Sequence, residues 1–169
     1  MFIRIKKIKG NEYAYLVRNK WTRDGPRQVS KKYLGRVLEL ERKTNMPFSN
    51  KSLLSKSRRE ILREIYIHEL SSFGFTLTGS HTMKLPYGEI TLVARLGEFA
   101  VYEDEKERVI RNRDGYLASS YFQRILRYSP KRNFEKDSVE FAKLIVNSGL
   151  FLDKEFFVEF FQRIYNGII

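Results

Sequence analysis

Along residues 2 to 9 (FIRIKKIK), Ile3 and Ile5 alternate with Arg4 and Lys6, a period of two that predicts a strand with one apolar and one cationic face. Gly10-Asn11 supplies a turn. A second strand follows, in which Tyr13, Tyr15, Val17 and Trp21 alternate with Ala14, Leu16, Arg18 and Lys20. Asp24-Gly25-Pro26 marks the next turn, because Gly tolerates positive φ and Pro fixes its own. The third run, Arg27 to Val37, alternates less cleanly, although Val29, Tyr33 and the pair Lys31-Lys32 continue the mixture of apolar and cationic residues. The first 37 residues therefore read as a three-stranded antiparallel meander. Such a sheet buries one face only and needs a second layer. Residues 38 to 44 (LELERKT) offer a short helix, and Asn45 to Asn50 read as a junction.

Ser57-Arg58-Arg59-Glu60 is a capping box. Behind it, Ile61, Leu62, Ile65, Tyr66 and Leu70 recur at helical spacing. Strand formers then dominate in four runs, 73 to 79, 88 to 95, 98 to 103 and 107 to 111, with turns at Arg95-Leu-Gly97 and Asp104-Glu-Lys106. Helical spacing returns over 116 to 128. Asp137 with Glu140 predicts the cap of a second late helix, and Asp153 that of a last one, 154 to 166. The pattern gives an α+β fold: a small N-terminal three-stranded antiparallel sheet over 1–44, a junction over 45–56, and a C-terminal α+β domain over 57–169 whose strands are followed by three helices.

Charge sharpens this division. The chain has 169 residues, with 32 Lys+Arg against 20 Asp+Glu, a net of +12. Up to Tyr66 there are 18 basic and 6 acidic residues, so the later part is neutral. Residues 1 to 36 alone hold 11 basic residues, Arg4, Lys6, Lys7, Lys9, Arg18, Lys20, Arg23, Arg27, Lys31, Lys32 and Arg36, against Glu12 and Asp24. Solubility does not require a net of +9 in so short a segment; a polyanionic partner explains it, through phosphate attraction and counterion release. These eleven are the candidate nucleic-acid-binding residues. Tyr13, Tyr15 and Val17 share a face and are expected to form the sheet's own core.

The absence of Cys excludes disulfides, thiolate metal sites and a Cys nucleophile. His68 and His81 are too far apart in sequence to suggest a metal site, and neither a metal nor a cofactor is expected. No apolar run of membrane-spanning or signal-peptide length occurs, which points to the cytoplasm; scarce Gln beside abundant Lys, Arg, Glu and Ile is a mild thermophile-like bias.

The segment opening with Phe2-Ile-Arg4, continuing through Tyr13-Ala-Tyr-Leu-Val17 and Arg27-Gln-Val29, and closing with Lys32-Tyr-Leu-Gly-Arg36 resembles the N-terminal module of DDE-class insertion-sequence transposases. It covers about the first fifth of the chain. The resemblance implies a DNA-binding segment, with Arg27, Lys31, Lys32, Tyr33, Leu34 and Gly35 matching the end of the pattern. The remaining residues are too few for the RNase H-like catalytic domain and carry no spaced Asp, Asp and Glu set, so transposase activity is not implied.

One triplet offers an enzymatic alternative. Asp104-Glu105-Lys106 matches the (D/E)xK pattern of Mg²⁺-dependent nucleases, with Glu89 or Glu98 as the second ligand, but the surrounding charge run favours a solvated hairpin tip. The late helices carry Phe141, Phe156, Phe157, Phe160 and Phe161, a stripe that suits a core first and a homodimer interface second. The expected function is therefore nucleic-acid binding, DNA ahead of RNA, without catalysis. The alternatives are the nuclease and a module docking on an acidic or ribosomal partner.

Overall fold

Lys9 and Gly10 adopt φ of 48° and 81°, the two positive values that a two-residue hairpin turn demands, and they reverse β1 (Phe2–Ile8) into β2 (Asn11–Thr22). A second reversal leads into β3 (Gly25–Leu38). The computed structural model describes residues 1–23 and 25–169, the side chains of Ser30 and Lys31 excepted; Asp24, part of the expected second turn, lies outside the described residues.

Ile3 and Ile5 face the hydrophobic core together with Ala14 and Leu16, their register partners on β2 being Leu16 and Ala14. The register between β2 and β3 slips twice, from Ala14↔Gly35 to Tyr15↔Tyr33 and from Leu16↔Lys32 to Val17↔Ser30. Leu34 and Lys31 are thus the extra residues of two β-bulges, and each bulge resets the inside-outside alternation. This is the physical reason that the third run lacks a clean period.

The chain continues through a 3-10 helix (Lys51–Ser55) into α1 (Arg58–Ser72), β4 (Thr76–Leu77), β5 (Thr82–Tyr87), β6 (Ile90–Arg95), β7 (Ala100–Glu103), β8 (Lys106–Asn112), β9 (Gly115–Leu117), α2 (Ser119–Leu126), α3 (Phe134–Asn147) and α4 (Lys154–Tyr165). The fold is α+β. Among the described residues its nine strands form one sheet in the order β1-β2-β3-β8-β7-β6-β5-β4, with β9 on β8. The N-terminal meander is joined to the later strands by a parallel pairing of Arg36, Val37 and Leu38 with Arg108, Val109 and Ile110. Val37, Leu38, Val109 and Ile110 are all buried, so consecutive residues pointing to opposite faces are both covered at this junction.

Gly35 makes the junction possible. Its φ is +130°, and a Cβ there would lie 2.2 Å from the carbonyl oxygen of Glu107. Gly35→Ala should therefore cost about 2–4 kcal/mol through backbone strain and overpacking, lowering the melting temperature by roughly 4–16 °C. Calorimetry on the variant tests this, and an unchanged melting temperature would contradict it.

The Ser57 capping box forms as expected, with Ser57 N–H donating to the Glu60 carboxylate at 3.0 Å and Glu60 N–H donating to Ser57 Oγ at 3.3 Å. Asp153 caps α4 as expected. Five local readings change. The helical run expected over 116 to 128 narrows to Ser119–Leu126, because Gly115–Leu117 pairs with β8 as strand β9. Residues 38 to 44 form no helix, because Arg42 is drawn out of any local ladder by hydrogen bonds to Glu69 and Asn112. Phe73 and Phe75 are core residues at the end of α1, leaving only Thr76–Leu77 as strand. β5 was masked in the sequence by Lys84 and Pro86, although Met83 and Leu85 keep its buried alternation. Asp137 does not cap α3: Asn133 does, while the buried Asp137 carboxylate accepts from the N–H groups of Lys131 and Asn133 at 2.9 and 3.0 Å.

A single core links strands and helices, with Tyr66, Phe99 and Phe122 in mutual edge and stacked contact and Phe141 against Phe160 and Phe161. Phe156, Phe160 and Phe161 are buried inside this one chain, so the aromatic stripe is core. Among the described residues no helix is long and apolar enough to cross a membrane.

Candidate nucleic-acid interface

β1 ends where Phe2 pairs with Val17, whereas β2 and β3 run on to Thr22 and Gly25. Residues 18–22 and 25–29 therefore extend past the three-stranded sheet as a two-stranded ribbon about 17 Å long. Arg18 and Lys20 stand on one side of it, opposite Val29 and Arg27; Asn19 and Trp21 stand on the other, opposite Gln28 and Pro26. Lys32, paired with Leu16, continues the cationic side, and Arg23 sits in the turn at the tip.

Below the ribbon, the side of the meander turned away from the core carries Arg4 and Lys6 of β1, Tyr13 and Tyr15 of β2, and Tyr33 and Arg36 of β3. The expectation that these tyrosines form a core is not met. They cluster on the solvent side, with Tyr33 5.4 Å from Tyr15 and 6.3 Å from Tyr13, ring centroid to centroid. Lys6 Nζ lies 4.9 Å from the Tyr15 ring centroid, and Arg4 Nη1 donates to Gln28 Oε1 at 2.5 Å. Burial raises the Tyr33 phenol above its ordinary value, opposed by the Arg108 charge, so Tyr33 adds no negative charge at neutral pH.

All ten of the candidate cations whose side chains are described, Arg4, Lys6, Lys7, Lys9, Arg18, Lys20, Arg23, Arg27, Lys32 and Arg36, are exposed; the Lys31 side chain lies outside the described residues. Lys7 and Arg36 line a pocket together with Glu12 and Glu39, but the set as a whole does not converge on one. Lys7 and Lys9 lie at the first turn and Arg23 at the far tip, at opposite ends of the twelve-residue β2, about 40 Å apart. The site is an elongated strip with cations on both faces of the sheet: Arg18, Lys20 and Lys32 continue the side of Leu16, and Arg4, Lys6 and Arg36 the side of Asn19 and Trp21.

Carboxylates are nearly absent from that strip. Among the described residues, none forms an ion pair with Arg4, Lys6, Lys7, Lys9, Arg18, Lys20, Arg23, Lys32 or Arg36. Glu12 is drawn to Arg111 of β8, which also holds Glu39 at 2.9 Å. Elsewhere the pattern is the reverse: Arg108 is matched by Glu103 at 2.6 Å, and Lys51 by Glu155 and Glu159 at 2.8 and 3.0 Å. The basic start of α1 is likewise engaged internally, Arg58 donating to the carbonyls of Leu126, Tyr128 and Ile169.

Sequence reasoning missed the contribution of Arg111, which draws Glu12 of β2 toward β8. It also missed the tyrosine platform. Both sides of mid-β2 are apolar or aromatic, so alternation alone could not say which side met the core.

Asp104 and Glu105 occupy the β7–β8 hairpin turn with φ of 47° and 60°, exposed as expected for a solvated tip. Glu105 pairs with Arg95, and Glu98 accepts a hydrogen bond from Tyr102 Oη at 2.5 Å. Among the described residues no group of three or more His, Asp or Glu side chains could hold a metal ion. His68 shares a hydrogen bond of 3.0 Å with the Met46 carbonyl. Comparison with protein-family models, with curated proteins and with solved structures finds no match to the chain.

Proposed function

We propose that this chain binds nucleic acid, DNA in preference to RNA, along the β2–β3 ribbon and the solvent side of the meander. The observation that carries the reading is the strip of exposed cations without carboxylate partners, Arg18, Lys20, Arg23 and Lys32 on the ribbon and Arg4, Lys6 and Arg36 below it. Folding alone gives no reason to concentrate unpaired charge there; a phosphate backbone releases its counterions to it.

Geometry favours DNA. A two-stranded ribbon matches the width of the B-form major groove, whereas the major groove of A-form RNA is too deep and narrow for it. The cationic side of the ribbon then faces phosphates along one groove wall. Arg111, Glu12 and the buried junction with β8 fix the ribbon to a rigid body, which presents it already formed. The neutral remainder of the chain is the scaffold.

Anisotropy of labelled 20-base-pair duplexes tests this. The DNA duplex is expected to bind at least about tenfold tighter than the RNA duplex of the same sequence, since base-pair readout and groove entry are open to it alone. Equal affinity would overturn the preference for DNA, and binding to neither would overturn the reading.

A further inference from the structure

Trp21 is the one tryptophan of the chain, and it is 80% exposed at the ribbon tip. Its cross-strand neighbour is Pro26, and the next pair down the same side is Asn19 and Gln28. Thus one side of the ribbon is cationic, with Arg18, Lys20 and Lys32, while the other offers an indole, a pyrrolidine ring and two amides. An apolar ring of this size left in water forgoes its transfer free energy, and the core, with its own closed aromatic contacts, has no place for it.

We propose that the Trp21 side of the tip is a base-contacting site that selects DNA containing an unstacked or unpaired base. The inference rests on the DNA-binding reading above. The flanking cations hold the backbone, so the occupant carries phosphates; an indole beside them finds its counterpart in a base, whose π-face it can cover. In a uniform duplex every base face is already covered by its neighbours. A bulge, or a step opened by an apolar wedge, frees one. Pro26 stiffens the tip and adds apolar surface beside the indole. Asn19 presents a donor and an acceptor of the kind that pair with an adenine edge, while Gln28 Oε1 beside it is held by Arg4.

The test uses the full chain and two labelled 20-base-pair DNA duplexes, one fully paired and one with a single unpaired adenine at its centre. Affinity is read by anisotropy of the label, and the tip by emission of Trp21, which has no competing tryptophan. The bulged duplex is expected to bind about 5- to 150-fold tighter than the paired one and to quench Trp21 on saturation. Trp21→Ala should erase that preference while leaving affinity for the paired duplex and its salt dependence in place. Trp21→Phe should keep part of it. Equal affinity for both duplexes, with Trp21 emission unchanged at saturation, would overturn base contact and leave DNA binding standing. Failure to bind either duplex at low salt would overturn both.

Discussion

Replacing Arg18, Lys20 and Lys32 together by alanine is expected to weaken binding to duplex DNA by about 500-fold at 0.1 M salt, with the fold intact. Each phosphate neutralised contributes about 0.9 to the slope of log affinity against log salt, so three lost contacts lower that slope by about 2.7, equivalent to about 500-fold at 0.1 M. The loss should be uniform across DNA sequences, because contacts to phosphate position the protein without reading bases. It should also fade toward 1 M salt. The fold is spared because all three side chains are exposed and, among the described residues, none forms an ion pair with a carboxylate. Circular dichroism and melting of the variant provide that control. The same triple change on matched charges, Lys51, Arg95 and Lys131, which Glu155 with Glu159, Glu105 and Glu140 hold, should leave DNA affinity almost unaltered.

The second large effect concerns stability. Glu69 is fully buried in α1, and its carboxylate accepts from Arg42 Nη1 at 3.0 Å, Asn112 Nδ2 at 3.0 Å and the Phe151 N–H at 2.8 Å. Asn112 in turn donates to the Gly149 carbonyl at 2.6 Å and accepts from Arg42 Nη1 at 2.6 Å. One side chain thereby ties the segment after β3, the end of β8 and the α3–α4 connection to a helix in the core. Glu69→Ala leaves a partly buried guanidinium, an amide and a backbone N–H without their shared acceptor. Breaking a buried pair from one side costs about 3–5 kcal/mol, which for a chain of this length lowers the melting temperature by roughly 6–20 °C. Chemical and thermal denaturation measure it, and a shift below about 1 kcal/mol would contradict the assigned role.

The elements that were legible in the sequence are those whose local chemistry and tertiary role agree. Ile3 and Ile5 against Arg4 and Lys6 announce β1 because the apolar pair does face the core. Ser57 with Glu60 announces α1 because the reciprocal hydrogen bonds form. What stayed hidden depends on partners distant in sequence. The bulges at Lys31 and Leu34 break the period of β3, and they exist to bring Gly35 and Arg36 alongside β8. Arg42 leaves its helical context for Glu69 and Asn112, 27 and 70 residues away. The candidate site divides in the same way. Its eleven cations were legible as a charge count, since lysines and arginines in an amphipathic strand stay exposed whatever the fold. That nine of them, Arg27 and Lys31 apart, form no ion pair with a carboxylate among the described residues was not legible, because Glu12 is drawn to Arg111, 99 residues along the chain. Nor was the position of Tyr13, Tyr15 and Tyr33, which turned on whether Ala14 and Leu16 or the rings would meet the core.

The N-terminal charge thus takes on a shape: an extended strip on a ribbon, fixed through a glycine-dependent junction to a neutral body. The central claim is that this strip meets a phosphate backbone. The affinity of the unaltered chain for a 20-base-pair DNA duplex, measured from 50 to 500 mM salt, tests it most directly. A log–log slope of about −4 or steeper is expected, corresponding to roughly five or more neutralised phosphates. A flat slope, or no binding at 50 mM salt, would contradict it.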